Sequence, residues 1–178
     1  MQANDYLHAM NTAALSIDTA VLAAANADSN IALMDSLKRT NATWLDATVH
    51  RLEQHITPQV NCTDCGNCCN TLMINVEAQE ADTLAQHLAI SRQQFDDTYI
   101  EKGSYGMMLM NAIPCSFLSA NKCTVYEHRF GGCREFPGLH LPQVQQRLFT
   151  IFMHYERCPI IYHVVEALRQ MDLPQGEA

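Results

Sequence analysis

The chain lacks the features that mark several common classes of function. It has no Lys or Arg before Lys38 and no Cys before Cys62. Its net charge of −8 has the wrong sign for a nucleic-acid surface, which is built from clustered Lys and Arg. There is also no basic stripe and no Gly-rich phosphate loop. We therefore expect no nucleic-acid partner.

Long apolar runs are absent as well. No stretch reaches the roughly 18 apolar residues of a membrane span, so we expect no membrane association. Residues 21–27 look like the end of a signal peptide, but the first 37 residues carry no basic side chain, and Asp5 and Asp18 interrupt any apolar core. The sequence therefore predicts a cytoplasmic protein, in a compartment where thiols stay reduced.

Cysteine is the residue that the chain has in excess. Eight are present, and four of them fall within eight residues. A Cys-x-x-Cys step allows one tight turn to aim two thiolates at the same ion, at roughly 2.3 Å for zinc. Gly66 suits such a turn because glycine readily adopts positive φ. The candidate metal ligands are Cys62, Cys65, Cys68, Cys69, Cys115, Cys123, Cys133 and Cys158.

Two other interpretations of these cysteines fit the sequence less well. Disulfides belong mainly to oxidising compartments and short secreted chains, and buried unrelated thiols would not cluster among Thr, Asp, Gly and Asn. Eight thiolates would fill two tetrahedral zinc sites. An iron–sulfur cluster is the alternative, because Cys-x-x-Cys-x-x-Cys with a remote Cys158-Pro159 is also a ferredoxin pattern. His128, His140 or His154 could replace a sulfur.

Adjacent Cys68 and Cys69 raise a question of geometry. In extended backbone their side chains would point to opposite sides, so we expect the two sulfurs to serve different ions or one of them to bridge two. Nearby arginines are expected to stabilise an anionic thiolate centre.

Periodicity predicts a mainly α fold with a few short strands, and an irregular cysteine-rich centre held by metal. A helix over residues 4–26, a turn at residues 28–30 and a second helix that runs to about residue 56 predict an N-terminal hairpin. We therefore predict two domains, a helical hairpin over 1–58 and a cysteine-cluster metal-binding domain over 59–178. The hairpin either packs on its own domain or offers a surface to a protein partner or a second copy.

The later segments predict shorter elements. Residues 72–76, 107–113 and 148–153 are interpreted as strands, and residues 81–88 as a helix. Ser91 and Gln94 form a capping-box pattern, and a last helix starts at Pro159, with Cys158 at its N-terminus.

These motifs resemble the YkgJ-type cysteine-cluster family, which is marked by Cys-x-x-Cys-x-x-Cys-Cys. Cys62, Cys65, Cys68 and Cys69 match that signature, and the segments that start at Cys115, Cys123 and Cys133 match the family's downstream motifs. Ser116 and Phe130 depart from it, where the family tends to have Pro and Arg-Pro. The resemblance covers about residues 60–160.

The resemblance implies chelation of zinc or iron, and a related branch includes flagellin lysine methylases. From the sequence we predict a thiolate-coordinated zinc protein with a structural or metal-handling role, whose partners are metal ions. The alternatives are an iron–sulfur redox protein and a protein-modifying enzyme of the methylase type. Whether the protein is an enzyme stays open, because no nucleotide-binding loop supports it.

Overall fold

The computed structural model describes residue 15 and residues 19–176. The chain divides into two compact units, residues 1–61 with 137–178, and residues 62–136. These are called the first unit and the second unit below. No helix in the described part of the chain has the length and apolar character needed to cross a bilayer.

Short helices make up most of the described chain, and the prediction of a mainly α fold is confirmed. The helices of the first unit are α1 (Ala20–Ala24), α2 (Ala27–Lys38), α3 (Ala42–Ile56), α9 (Val144–Met153) and α10 (Pro159–Arg169). Those of the second unit are α4 (Cys62–Cys65), α5 (Asn67–Thr71), α6 (Ala78–His87), α7 (Arg92–Tyr99) and α8 (Gly131–Glu135). Two antiparallel pairs complete the second unit, β1 (Ile100–Lys102) with β2 (Met108–Met110) and β3 (Leu118–Ser119) with β4 (Lys122–Cys123).

The first unit is held together by apolar helix faces. Helix α3 buries Leu45, Val49, Leu52 and Ile56 at helical spacing, and it packs on α9 and α10. Asn41 caps α3, because its side chain accepts a hydrogen bond from the Trp44 backbone N–H. Burial of these side chains is the main stabilising contribution here.

The second unit has an apolar cluster built around helices α6 and α7. Both helices start with a capping box, which confirms the Ser91–Gln94 prediction. Residues 74–76 lie beside β2, through Val76 N to Met108 O and Met110 N to Ile74 O, each at 2.9 Å. The cluster includes Val76, Ala81, Leu84, Ala85, Phe95, Ile100, Met110, Phe117, Val125 and Phe130.

Several predicted elements differ from the structure. In the strand predicted over 72–76, Asn75 forms an isolated bridge to Leu109 and no strand results, and the strand predicted over 107–113 is limited to β2. The strand predicted over 148–153 is wrong, because these residues form the second half of α9, which buries Val144, Leu148 and Ile151 at helical spacing. The turn predicted at 28–30 lies inside α2, and the helices of this region break at residues 25–26 and 39–41 instead. Of the helix predicted over 4–26, residues 4–14 and 16–18 lie outside the described residues.

The units divide the chain differently from the predicted domains. The division at Asn61–Cys62 is close to the predicted boundary at residue 58, whereas residues 137–178 group with the N-terminal helices. Separate folding of 1–58 and 59–178 stays a prediction. Seven of the eight cysteines fall in the second unit, and Cys158 falls in the first.

Candidate metal centre

The Cys-x-x-Cys step adopts the tight turn expected of it. Helix α4 is a single turn from Cys62 to Cys65, and Gly66 then takes a left-handed conformation with φ 63°. The Gly66 N–H donates to the Cys62 carbonyl at 3.3 Å, and the Asn70 N–H donates to the Gly66 carbonyl at 3.1 Å. Positive φ and a close neighbour explain the glycine, because a Cβ there would lie 2.3 Å from the Asn121 side chain.

Asn121 fastens this turn from a distant part of the chain. Its Nδ2 donates to the carbonyls of Asp64 at 2.8 Å and Cys65 at 2.9 Å, and its Oδ1 accepts from Asn70 Nδ2 at 3.4 Å. Asn121 sits at φ 64° in the two-residue turn that joins β3 and β4. The side chain therefore ties the first cysteine segment to the second. Sequence reasoning missed this residue, and the only local signal was the turn preference of asparagine.

Cys68 and Cys69 do not have the geometry expected from sequence. They lie in helix α5 rather than in extended backbone, so their side chains do not point to opposite sides. Their Sγ atoms are 4.0 Å apart. Two thiolates bound at roughly 2.3 Å in a tetrahedral site stand about 3.8 Å apart, so the pair fits one shared ion. The premise of extended backbone is therefore wrong, whereas the expectation that the two sulfurs serve different ions or that one bridges stays a prediction.

The downstream cysteines are brought to the same part of the second unit. The Cys115 N–H donates to the Cys69 carbonyl at 2.8 Å, and Cys123 pairs with Leu118 across the β3–β4 ladder. Cys133 lies in α8. Cys115, Cys123 and Cys133 also pack against the apolar cluster of the second unit, so the core positions three of the eight candidate ligands.

The thiols lie close enough to influence one another electrostatically. Burial raises the pKa of Cys62, Cys115 and Cys123, and it raises the pKa of Cys133 to about 12. The Cys69 thiol adds to the rise at all four. Cys69 is therefore the common neighbour of the first and second cysteine segments. A dication among such groups would reverse their pKa shifts, because it favours thiolate.

The Cys69 pKa is itself raised, first by the hydrogen bond with Cys68 and then by burial. In the other direction, Arg129 partly offsets the burial that raises the pKa of Cys62, Cys123 and Cys133. Its guanidinium stacks 3.9 Å above the Tyr126 ring and donates to the Tyr126 carbonyl at 2.9 Å. Arg129 is thus one nearby cation of the kind predicted for an anionic centre.

The donor chemistry fits zinc or iron, because both metals accept thiolate ligands. All eight cysteines are free thiols, with Cys62 exposed and Cys158 buried. No group of three Cys, His, Asp or Glu side chains in the described chain stands in a metal-holding arrangement.

Cys158 and two of the three candidate histidines belong to the first unit. Cys158 is the N-cap residue of α10 in the first unit, where Pro159 occupies the first helical turn as predicted. His140 and His154 also belong to the first unit. His128 belongs to the second, and its ring contacts that of His87, with centroids 3.9 Å apart and ring planes tilted by 33°.

One comparison with known proteins gives a match. A protein-family model of the CxxCxxCC type, described as "Putative zinc- or iron-chelating domain", matches residues 61–159. The match covers more than half of the 178 residues and includes all eight cysteines. No curated protein and no solved structure matches the chain. The chain therefore belongs to the CxxCxxCC family of zinc- or iron-chelating domains.

Proposed function

We propose that the protein binds zinc through thiolates of its cysteine cluster and serves a structural or metal-handling role. The observation that carries this proposal is the convergence of two cysteine segments on Cys69, through the Cys115–Cys69 backbone hydrogen bond at 2.8 Å and the shared electrostatic influence of the Cys69 thiol. The proposed ligands are the eight cysteines, seven of which belong to one compact unit.

Reduced thiols are needed for this function, so we place the protein in the cytoplasm. Bound zinc would supply a dication that holds the cysteine segments together. The protein's own contribution is positional, because Gly66 and Asn121 set the Cys-x-x-Cys turn and the apolar cluster supports the downstream cysteines. The exposed Cys62 leaves the centre accessible for exchange of an ion.

Metal content and the visible spectrum of anaerobically purified protein test the choice of metal. We expect a colourless protein with about two zinc ions per chain, the number that eight thiolates saturate. Brown absorbance with iron and acid-labile sulfide would replace zinc by an iron–sulfur cluster.

The ligand proposal is tested by Cys65→Ser, with Asn67→Ser as the matched control in the next helical turn. An alcohol is a poor substitute for a thiolate, so Cys65→Ser should lower the bound metal, whereas Asn67→Ser should leave it unchanged. Full metal content and unchanged stability in Cys65→Ser would remove Cys65 from the ligand set.

A further inference from the structure

A polar pocket lies within the second unit, between the start of α6 and residues 127–134. Its volume is about 460 Å³, within the range of roughly 300–1,000 Å³ that holds small-molecule ligands. Every side chain that lines it is polar. The titratable residues of the lining are Glu77, Glu80, Glu127, His128, Arg129 and Arg134.

Two guanidinium groups line this pocket, and a backbone carbonyl accepts a hydrogen bond from each of them. Arg129 donates to the Tyr126 carbonyl at 2.9 Å, and Arg134 donates to the Arg129 carbonyl. A guanidinium carries five N–H donors. Among the described residues the Arg129 side chain uses one of them, so donors remain for a carboxylate that enters the pocket.

Two of the three carboxylates that line the pocket are engaged by backbone groups of the second unit. Glu80 is engaged, because it accepts from the Glu77 N–H at 3.1 Å and from the Gly131 N–H, and it lies 3.5 Å from Arg134. The Glu77 side chain completes the capping box of α6. Glu127 is exposed and makes no hydrogen bond or ion pair with the described residues.

The charges of the lining decide which ligand fits. Three glutamates and two arginines line the pocket, so its carboxylates outnumber its guanidinium groups by one. A polyanion such as phosphate would gain from the arginines but would be repelled by the carboxylates. An apolar ligand would leave the charged lining without partners. A ligand with both a carboxylate and an ammonium group can pair with guanidinium groups and with a carboxylate of the lining.

We propose that this pocket binds a small zwitterion, an amino acid or a short peptide, with its carboxylate on Arg129 and Arg134 and its ammonium group on Glu127. The proposal goes beyond metal binding and rests on different residues. It still has a functional connection, because Arg129 belongs both to the pocket and to the surroundings of the cysteine cluster.

The test is a titration of the isotopically labelled, metal-loaded full chain with L-alanyl-L-alanine, followed by backbone amide NMR. We expect saturable shifts concentrated at residues 77–83 and 127–134. N-acetylation or C-terminal amidation of the dipeptide should weaken binding at least tenfold, since each removes one charge-assisted contact. Alanine and trialanine then define the preferred length. Inorganic phosphate should bind more weakly than the dipeptide.

Variants separate the pocket from the rest of the unit. Glu127→Gln should weaken the dipeptide at least tenfold, while Glu135→Gln, an exposed glutamate of α8 that does not line the pocket, should not. Arg134→Gln should weaken it similarly, and an unchanged amide spectrum outside the pocket would show that it still folds. Because Glu127 makes no hydrogen bond or ion pair with the described residues, its variant tests the proposal even if Arg134→Gln unfolds.

Four results would overturn this assignment. They are the absence of saturable shifts up to the solubility limit of the dipeptide, equal binding of the capped and free dipeptides, unchanged affinity in Glu127→Gln, and tighter binding of phosphate than of the dipeptide. Metal content is measured on the same samples, so failure of the pocket proposal would leave the zinc proposal standing, and the reverse holds.

Discussion

The two units of this protein are built by different means. The first unit uses helices of 10 to 15 residues in α2, α3, α9 and α10, and α10 alone buries eight of its eleven residues. The cysteine part of the second unit uses helices of 4 or 5 residues and strands of 2, and neither α4 nor α5 has a fully buried side chain. Hydrophobic burial can order the first unit, whereas α4, α5 and the β3–β4 turn require other cross-links.

Within the second unit, one part is stabilised by apolar burial and another part by hydrogen bonds. Helices α6 and α7 have capping boxes and an apolar cluster, and Cys115, Cys123 and Cys133 pack on that cluster. The segment from Cys62 to Cys69 is held by side-chain to backbone hydrogen bonds instead, above all those of Asn121. Isolated helices of this length are unstable in water, so we infer that bound metal supplies part of the free energy that orders them.

Removal of the metal should have the largest effect of the changes predicted here. It should disorder the cysteine segments of the second unit and leave the first unit folded. With chelator under reducing conditions, we expect residues 60–70 and 114–136 to lose protection from hydrogen exchange, because their short elements bury too little to stay ordered. Helices α3 and α10 should keep their protection, since their stability comes from buried apolar faces. Hydrogen exchange with mass spectrometry measures both regions in one sample.

The control for this experiment is re-addition of zinc, which should restore protection in the cysteine segments. Unchanged protection at residues 60–70 after verified loss of metal would show that hydrogen bonds alone hold these turns. Loss of protection in α3 and α10 to the same extent would show that the two units unfold as one.

Leu52→Ala should have the converse effect. Leu52 is fully buried in α3, so its truncation should lower the free energy of unfolding by about 2–5 kcal/mol, measured by urea denaturation. We expect the folded variant to keep its metal, because Leu52 belongs to the first unit. Parallel loss of metal and stability would mean that the units are coupled. An exposed helix position in the same unit, Phe149→Ala, serves as the control with little expected change.

Much of the secondary structure could be predicted from local sequence. The capping box of Ser91 and Gln94 and the proline at the start of α10 are signals within four residues of the feature that they specify. The strand predicted at 148–153 failed because a short apolar run is compatible with either a strand or a buried helix. The polar residues that precede Leu148 in α9 were needed to recognise the helical spacing.

Long-range features of the site could not be predicted in the same way. The ligand candidates follow from spacing, but the contact of Asn121 with Cys65 spans 56 residues, and no local pattern encodes it. The geometry of Cys68 and Cys69 was predicted incorrectly because extended backbone was assumed for a segment that forms α5. The grouping of residues 137–178 with the N-terminal helices likewise depends on packing over long sequence separations.

Replacement of Cys158 tests whether the metal ligands are confined to the second unit. It is 6% exposed in the first unit, whereas the other seven cysteines belong to the second. The eight-ligand proposal requires Cys158→Ala to lower the metal content, and loss of the buried sulfur should cost about 1 kcal/mol of stability as well. Val165→Ala, a buried position of α10, should cost similar stability and keep its metal. Full metal content in Cys158→Ala would make Cys158 a packed thiol of the first unit.

Asn121→Gly should have the smallest effect on stability and should act on the kinetics of metal release. Glycine keeps the positive φ of the β3–β4 turn at no steric cost, so the variant removes only the hydrogen bonds to Asp64, Cys65 and Asn70. The side chain is exposed, where water replaces lost hydrogen bonds, so we expect a total loss of about 0.5 kcal/mol, the low end for a single net hydrogen bond. The Cys-x-x-Cys turn should open more often, and zinc should transfer faster to a coloured chelator.

Ala120→Gly is the matched control, because Ala120 has φ 47° in the same turn and its replacement relieves backbone strain without touching the hydrogen bonds of Asn121. It should release zinc no faster than the unmodified protein. Equal release rates for Asn121→Gly and Ala120→Gly would show that the thiolate–metal bonds alone fix the turn.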